Sequence, residues 1–164
     1  MPGEPVIRSF AAEVKAIRLF LRCTPPTTTA QQKRMTIRSG KPMYFAGKDA
    51  KAADALFDAL LLSERPPSPL DGPLRMRVRV VWPYRAGDVN TKAKAGRYDL
   101  IPHVARPDCS NWVKGFEDRL TALRFIADDS RICDLHVSKF YGPESDVGIH
   151  VLIEPWFYDP WDEE

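Results

Sequence analysis

The residues best suited to chemistry lie in one run of the chain, RPDCSNWVKGFEDRLTALRFIADDSR, at positions 106–131. A step of 100° per residue, the period of an α-helix, places its apolar residues on one side. Those residues are Trp112, Val113, Phe116, Leu120 and Leu123. Asp108, Asn111, Lys114 and Asp118 fall on another side. The apolar stripe must be buried, so an acid, an amide and a lysine are predicted to project together from the first turns of one helix.

A second pair of carboxylates, Asp128 and Asp129, follows this predicted helix closely. The two residues are near enough to the helix to fold back towards Asp108, although spacing alone leaves open whether they do. Carboxylate oxygens are the ligands that magnesium prefers in proteins, and a magnesium site often needs only a few of them. The run therefore has the residue types of a divalent-metal site.

Each of these residues also has a purely structural interpretation. An aspartate such as Asp108 before a helix is a favoured N-cap, worth about 1 kcal/mol without any catalysis, and Ser110 is an equally good one. An Asp-Asp pair after a helix is usually a polar turn, and a single Lys114 is usually a solvated charge. Only the joint occurrence of these residues at fixed spacing favours a functional site.

The joint pattern resembles the core signature of the RusA family of Holliday-junction resolvases. The matching motifs are Pro107-Asp108-x-Ser110-Asn111-x-x-Lys114, then Glu117-Asp118-x-Leu120, then Phe125-x-x-Asp128-Asp129-x-x-Ile132. The resemblance implies a magnesium-dependent nuclease site, with manganese as the alternative ion, on a symmetric dimer that acts on four-way DNA junctions. It also implies a place in DNA recombination and repair, and such proteins are often prophage-encoded.

The resemblance assigns roles to individual residues. Asp108 and Asp129 correspond to the principal metal ligands, with Asp128 as a nearby or substitute ligand. Lys114 would stabilise developing negative charge or hold the phosphate. Asn111 would orient a carboxylate or a metal-bound water. The family's second aspartate is Ser110 here, which predicts weaker metal binding, unless the hydroxyl serves as a cap or a water-mediated ligand.

Composition sets the wider limits. The chain has 164 residues, 44% hydrophobic and 28% charged, with a formal net charge of +2, as expected for one globular domain. Three unpaired cysteines and the absence of a signal-peptide pattern predict a reduced, cytoplasmic compartment. No apolar run is long enough for a transmembrane helix. Cysteine and histidine spacings do not fit zinc, and no glycine-rich loop supports nucleotide hydrolysis.

The elements that must position the site are readable from periodicity. The predicted elements are a strand at Val14–Leu21 ended by Pro25-Pro26, a small hairpin at Thr36–Phe45 around Ser39-Gly40, a helix at Lys48–Leu62 and a strand at Leu74–Trp82. The apolar face of the first helix is predicted to be Ala52, Ala55, Leu56, Ala59 and Leu60. After the signature, two strands at Ile132–Tyr141 and Val147–Glu154 are predicted to form an antiparallel hairpin.

Basic residues on either side of the signature predict contacts with DNA phosphates. Pro83–Ala105 shows no periodicity and carries four basic residues against two acidic ones, so it is either a phosphate-binding loop or a solvated surface loop. The predicted DNA-binding residues are Lys33, Arg34, Arg85, Lys92, Lys94, Arg97 and Arg106. Cys23 and Cys133 are predicted to be core residues.

These observations predict a mixed α/β fold, β-α-β-α-β-β, with two helices covering a small four-stranded sheet. Residues 1–13 are predicted to be a variable extension and 155–164 an acidic, aromatic tail on a single domain. The predicted function is a metal-dependent endonuclease that resolves four-way junctions as a homodimer, without membrane association. Two alternatives remain open: a branched-DNA-binding protein weakened in catalysis by Ser110, and a structural dimer with no nucleic-acid partner.

Overall fold

The computed structural model shows two helices packed on one side of a mixed sheet. It describes residues 16–28, 33–88 and 99–156. The helices are α1 (Lys48–Leu61) and α2 (Cys109–Ala122). The strands are β1 (Ile17–Leu21), β2 (Lys33–Arg38), β3 (Lys41–Ala46), β4 (Leu74–Pro83), β5 (Ile101–Pro102), β6 (Ile132–Gly142) and β7 (Gly148–Pro155). The predicted fold class is confirmed.

The strongest period-two pattern in the sequence forms the centre of the sheet. The sheet order is β1-β7-β4-β6-β5, so β4 has a partner on each side. The apolar side chains of β4, such as Met76 and Val78, are buried, whereas Arg77 and Arg79 are exposed. Alternation of side chains across a strand therefore gives the sheet one core face, covered by the helices, and one open face.

The predicted hairpin of the last two strands is wrong, although both strands exist. β6 pairs in parallel with β4, and β7 pairs antiparallel with both β4 and β1. The turn formers between β6 and β7 do reverse the chain, but β4 lies between the two strands. The reason is that α2 is the crossover that a parallel β4–β6 pair requires, which leaves the other edge of β4 free for β7.

The main sheet has five strands instead of the predicted four. Ile101 and Pro102 form a two-residue edge strand on β6, within the segment 83–105 that was predicted to lack regular structure. The hairpin predicted around Ser39-Gly40 is confirmed as a separate two-stranded sheet of β2 and β3. A two-residue strand is too short to produce a periodic sequence signal.

The limits of α1 match the prediction, but its predicted buried face is wrong. The buried residues are Ala50, Ala53, Phe57 and Leu61. Two interleaved apolar series run along this helix, and the buried one contains Phe57, whose ring packs edge-on against Trp112 and Phe116 of α2 at 5.6 and 5.3 Å between centroids. The larger ring buries more apolar area than alanines do, and it decides which series faces the core.

The apolar face predicted for α2 is confirmed by burial. Trp112, Val113, Phe116 and Leu120 are all buried, so the opposite flank of the helix faces outward. Arg119 joins the two helices through paired hydrogen bonds of 2.7 and 2.8 Å to the Asp58 carboxylate of α1. The orientation of α2, and with it the direction of its polar flank, is therefore set by a packed core and a two-point ion pair.

The cysteine predictions are only partly correct. Cys133 is exposed, because β6 starts at the rim of the sheet, whereas Cys23 is half-buried against the core. Burial raises the pKa of the Cys23 thiol to about 11. Within the described part of the chain, no helix is long and apolar enough to cross a membrane. The extension at 1–13, the tail beyond Trp156 and the basic residues Lys92, Lys94 and Arg97 lie outside the described residues.

Candidate active site

Asp108 occupies the N-cap position of α2 without acting as a side-chain cap. Its backbone is extended, with φ −68° and ψ 147°, and its carbonyl accepts the first helical hydrogen bond from Trp112 at 2.9 Å. Its carboxylate instead accepts a hydrogen bond from Asn111 Nδ2 at 3.3 Å and is exposed. The capping interpretation therefore does not account for this side chain. The Asp108 carboxylate remains open to a ligand, with Asn111 fixing its direction.

Lys139 of β6 holds the segment that leads into Asp108. Its Nζ donates hydrogen bonds to the carbonyls of Ala105, at 2.7 Å, and Pro107, at 2.5 Å. The backbone N–H of His103 donates to the Lys139 carbonyl at 3.1 Å. One lysine thus ties two carbonyls, immediately before α2, to the sheet.

Replacement of Lys139 by Met is therefore expected to loosen residues 103–108 while leaving the core intact. Charge-assisted hydrogen bonds contribute about 1.5–3 kcal/mol each, so local opening becomes much more frequent. Hydrogen exchange of the amides in 103–109 should accelerate by at least tenfold, on the order expected for 1.4 kcal/mol. Exposed Arg65→Met is the control, and unchanged exchange in Lys139→Met would refute the anchoring role.

Two tryptophans fix the Pro25-Pro26 segment beside the start of α2. The indole N–H of Trp82 donates to the Pro25 carbonyl at 2.8 Å, and that of Trp112 donates to the Pro26 carbonyl at 2.9 Å. Proline lacks an N–H, and its carbonyl still accepts, so the segment is held without being part of the sheet. The Pro25-Pro26 segment is therefore fixed next to the first turn of α2.

The turn that carries the second pair of acids is anchored to the connector before β4. Leu70 exchanges two backbone hydrogen bonds of 2.8 Å with the segment after α2, from its N–H to the Phe125 carbonyl and from the Ala127 N–H to its own carbonyl. Arg131 forms an ion pair of 2.8 Å with Asp71. The position of the Asp128-Asp129 turn relative to α2 is therefore determined by backbone pairing.

The two acids of this turn have different roles. The Asp128 carboxylate accepts a hydrogen bond of 3.4 Å from the Ser130 N–H, so it caps the short 3-10 turn at Asp129–Arg131. The Asp129 carboxylate instead forms a short ion pair with Lys114 Nζ. The polar-turn interpretation therefore fits Asp128 and does not fit Asp129.

Lys114 is the contact between the helix and the turn. Its Nζ lies 3.0 Å from the Asp118 carboxylate, one helical turn further along, and also binds Asp129. The hydrogen bond to Asp129, and then the one to Asp118, raise the pKa of Lys114 above its usual range. The hydrogen bond from Lys114 lowers the pKa of Asp129. The ammonium and the Asp129 carboxylate are thus both fixed in their charged forms.

The structure brings the predicted site residues together in two linked contacts. Asp108 binds Asn111, and Asp129 binds Lys114, while Asn111 and Lys114 are three positions apart and hence neighbours on α2. Ser110 is exposed near them. No group of three or more Asp, Glu, His or Cys residues close enough to hold one ion is present in 16–28, 33–88 and 99–156.

Glu117 is a carboxyl beside this site for which the sequence predicted no role. It is only 9% exposed, and burial raises its pKa, although the nearby Lys114 charge acts in the opposite direction. Its position, three residues after Lys114 at the edge of the apolar stripe, was the available signal. The site therefore includes a partly desolvated acid besides the predicted ones.

The predicted DNA-binding residues differ in how available their charges are. Arg85 is paired with Asp88, with its guanidinium Nη2 3.1 Å from the carboxylate, and it lies over the Tyr141 ring at 4.4 Å from the centroid. Arg106 is exposed and lies two residues before Asp108. Lys33 and Arg34 lie in β2. Arg85 thus already has a carboxylate partner, Asp88.

The open face of the sheet carries a second basic surface, at which the sequence predicted no site. It contains a groove of about 830 Å³. Its basic and imidazole side chains are Arg18, Arg77, Arg79, His136 and His150. The pattern of arginines in β4 was visible in the sequence, but only the pairing of β4 with β6 and β7 places them beside the two histidines.

The comparison with known families agrees with the geometry of α2 and its following turn. A family model described as Endodeoxyribonuclease RusA matches residues 24–154, which include every element from the Pro25-Pro26 segment to β7. The chain belongs to the RusA family of endodeoxyribonucleases. This family consists of nucleases, and the resemblance predicted from the sequence is confirmed.

A curated relative shows how widely this likeness extends. The chain is 32% identical over 120 residues to "Uncharacterized protein YqaN" of Bacillus subtilis (strain 168), which covers 72% of this chain and 84% of the relative. The match therefore extends well beyond the 26 residues of the signature. The function of this RusA-family chain must be inferred from its own site, because that relative is described as uncharacterized.

Proposed function

We propose that this protein is a metal-dependent, structure-selective endonuclease that resolves four-way DNA junctions by paired symmetric nicks. The observation that carries the proposal is the direct contact between Lys114 of α2 and Asp129 of the following turn. This contact joins the two halves of the signature on one exposed flank of α2. On the same flank, the Asp108 carboxylate does not cap the helix. A polar helix end and a polar turn with no further role would not need to meet.

The chemistry of the donors suits magnesium, with manganese as the alternative ion. Magnesium is often held by one or two carboxylates, with waters and substrate phosphates completing its octahedron. Asp108 and Asp129 would hold the ion, with Asp128, the neighbour of Asp129 in the chain, as a substitute ligand. A bound ion would supply Lewis-acid activation of water and neutralise charge on the phosphate. A cluster of three protein ligands is not required for this kind of site.

The surrounding residues have roles of their own in this proposal. The Lys114 ammonium would meet the scissile phosphate, where it offsets developing negative charge. Asn111 would keep the Asp108 carboxylate directed outward through its side-chain amide. Lys139 fixes the backbone just before Asp108, so that the carboxylate does not move with a loose loop. Preorganised charges of this kind reduce the reorganisation needed during the reaction.

Binding of the junction would use basic residues around the site and a second copy of the chain. Arg106 precedes α2 in the chain, Lys33 and Arg34 belong to β2, and these cations would make salt-sensitive contacts with phosphate. A four-way junction has two-fold symmetry and needs two symmetric cuts. A homodimer with C2 symmetry places two equivalent sites to make them.

The direct test is incubation of the protein with a labelled four-way junction and with linear duplex of the same sequence. The proposal expects paired nicks in the junction with magnesium, no nicks in EDTA, and little cleavage of the duplex. Equal cleavage of both DNAs would refute structure selectivity. Absence of any magnesium-dependent cleavage would refute the nuclease assignment.

One observation favours a second candidate, a RusA-family protein that binds branched DNA but has weakened catalysis. Ser110 stands where the family signature has an aspartate, and it is exposed on the site flank. The site thus has one fewer negative charge with which to attract a divalent ion. Tight junction binding without magnesium-dependent nicking would select this candidate.

Replacement of Ser110 by Asp is expected to strengthen metal binding. The added carboxylate increases the negative charge of the donor set, which is a main determinant of affinity for hard cations. The magnesium concentration that gives half-maximal nicking should fall by about tenfold, equivalent to roughly 1.4 kcal/mol. Ser110→Asn is the matched uncharged control. A midpoint that is the same in both variants would show that position 110 does not face the ion.

A further inference from the structure

The β2–β3 hairpin presents an unusual surface that the proposed active site does not use. Every residue from Thr36 to Met43 is exposed. The chain reverses at Ser39 and Gly40, which have φ of +53° and +73°, as a two-residue turn of the type favoured in hairpins requires. This hairpin is not hydrogen-bonded into the main sheet. Its tip, residues 36–43, therefore extends as a two-stranded ribbon.

The two faces of this tip differ in chemistry. Ile37 is paired across the strands with Pro42, and Arg38 with Lys41. Side chains opposite each other share a face, and successive pairs alternate between faces. One face therefore carries the apolar pair Ile37 and Pro42, and the other carries the cationic pair beside the turn. Ile37 is 69% exposed.

In isolation, this arrangement is unfavourable. Like charges directly opposite each other, as in Arg38 and Lys41, destabilise a strand pair. An exposed Ile37 contributes no hydrophobic free energy, and a lone two-stranded hairpin is marginally stable in water. A partner that supplies negative charge and an apolar surface would remove both costs. The segment 33–46 contains four basic and no acidic residues, so that partner is anionic.

The position of the hairpin in the chain relates it to the proposed active site. Six residues separate β2 from Pro26, which Trp112 holds at the first turn of α2, and six extended residues span at most roughly 21 Å. The other end of the hairpin runs through Gly47 directly into α1. The base of the hairpin is therefore linked in the chain, over six residues, to the segment held beside the first turn of α2. On the proposed function, the partner on the α2 flank is DNA, which is long enough to extend from that flank to the hairpin.

We propose that residues 36–43 form a pin that recognises the branch point of the DNA. Arg38 and Lys41 contact phosphates, while Ile37 and Pro42 pack against bases at the strand exchange. Apolar side chains that enter a base stack must offset the cost of unstacking, which is smallest where stacking is already interrupted. A branch point offers such bases and a continuous duplex does not. The pin thus sets the preference for branched DNA, an inference that rests on the proposed function.

The test measures binding, without divalent ions, of a fluorescent four-way junction and of linear duplex of the same sequence. Ile37→Ser is expected to weaken junction binding by about tenfold, the loss that one well-buried apolar contact gives, and to leave duplex binding unchanged. The double replacement Arg38→Gln and Lys41→Gln should weaken binding to both DNAs and reduce the salt slope by about two. Leu62→Ser, on an exposed apolar residue outside the hairpin, is the control.

The outcomes separate the pin from the proposed function. If the unaltered protein binds both DNAs equally, junction selectivity itself fails and the pin fails with it. If it prefers the junction and Ile37→Ser keeps the full preference, the pin is refuted while the proposed function stands. Loss of dimerisation in Ile37→Ser with the preference retained would assign the tip to contact between subunits, and would also overturn the pin. A 2-aminopurine base at the branch point should brighten on binding only when Ile37 is present.

Discussion

Asp108→Asn should reduce magnesium-dependent nicking of a four-way junction by about 100-fold or more, with the fold and junction binding preserved. The substitution keeps the size of the side chain and its contact with Asn111, but it removes the charge that a hard cation requires. Thermal unfolding should change little, because this side chain makes no capping hydrogen bond. Nicking rates and junction affinity are to be measured on the same preparation.

The matched control for this variant is Asp49→Asn, since Asp49 is an exposed carboxylate in the first turn of the other helix. It should nick at the rate of the unaltered protein. If Asp108→Asn also nicks normally, the assignment of Asp108 as a metal ligand is wrong. If it loses junction binding and thermal stability together, the residue is structural.

Replacement of Lys114 by Met should reduce nicking by a similar factor, but it should change metal affinity in the opposite direction. Loss of a preorganised cation at a developing negative charge typically reduces a rate by about 10²–10³. The same change removes the ion pairs with Asp118 and Asp129, so that Asp129 is no longer neutralised. We therefore expect nicking to fall while the affinity for Mn²⁺ rises. Metal affinity by electron paramagnetic resonance and single-turnover nicking are the two measurements.

A fall in nicking together with a rise in Mn²⁺ affinity distinguishes a catalytic role of Lys114 from a purely structural one. A lysine that only stabilised the turn would lower nicking and metal affinity together when removed. Lys114→Arg should recover part of the nicking, because it keeps the charge but changes its geometry. Equal nicking in Lys114→Met and the unaltered protein would show that the ammonium does not act on the phosphate.

The sequence predicted most elements because their patterns depend on local periodicity. The alternation of β4 and the apolar stripe of α2 are both properties of neighbouring residues, and both are confirmed by burial. The pairing of β6 and β7 with β4 was not predicted, because strand order depends on which edges are free after the α2 crossover. The buried face of α1 was mispredicted for a related reason. Phe57 is buried because its ring packs against Trp112 and Phe116 of α2, which are distant in sequence.

The candidate site was predictable in composition but not in contacts. The signature predicted that Lys114 and Asp129 belong together, and their ion pair agrees with it. The restraints that hold them, such as the Leu70 backbone pairs and the Lys139 bonds to two carbonyls, join residues distant in sequence and leave no local pattern. The different roles of Asp128 and Asp129 depend on the geometry of the turn. Because the two residues are of the same type and adjacent, the sequence does not show which one caps the turn and which one contacts Lys114.

The central claim is that Asp108 and Asp129 bind the same divalent ion, and paramagnetic broadening of NMR signals by Mn²⁺ tests it most directly. The account predicts that substoichiometric Mn²⁺ broadens the amide signals around Asp108 and around Asp129 in parallel. It also predicts that either Asp108→Asn or Asp129→Asn weakens the broadening at both places. Broadening confined to one of the two segments, or unaffected by these replacements, would contradict the account.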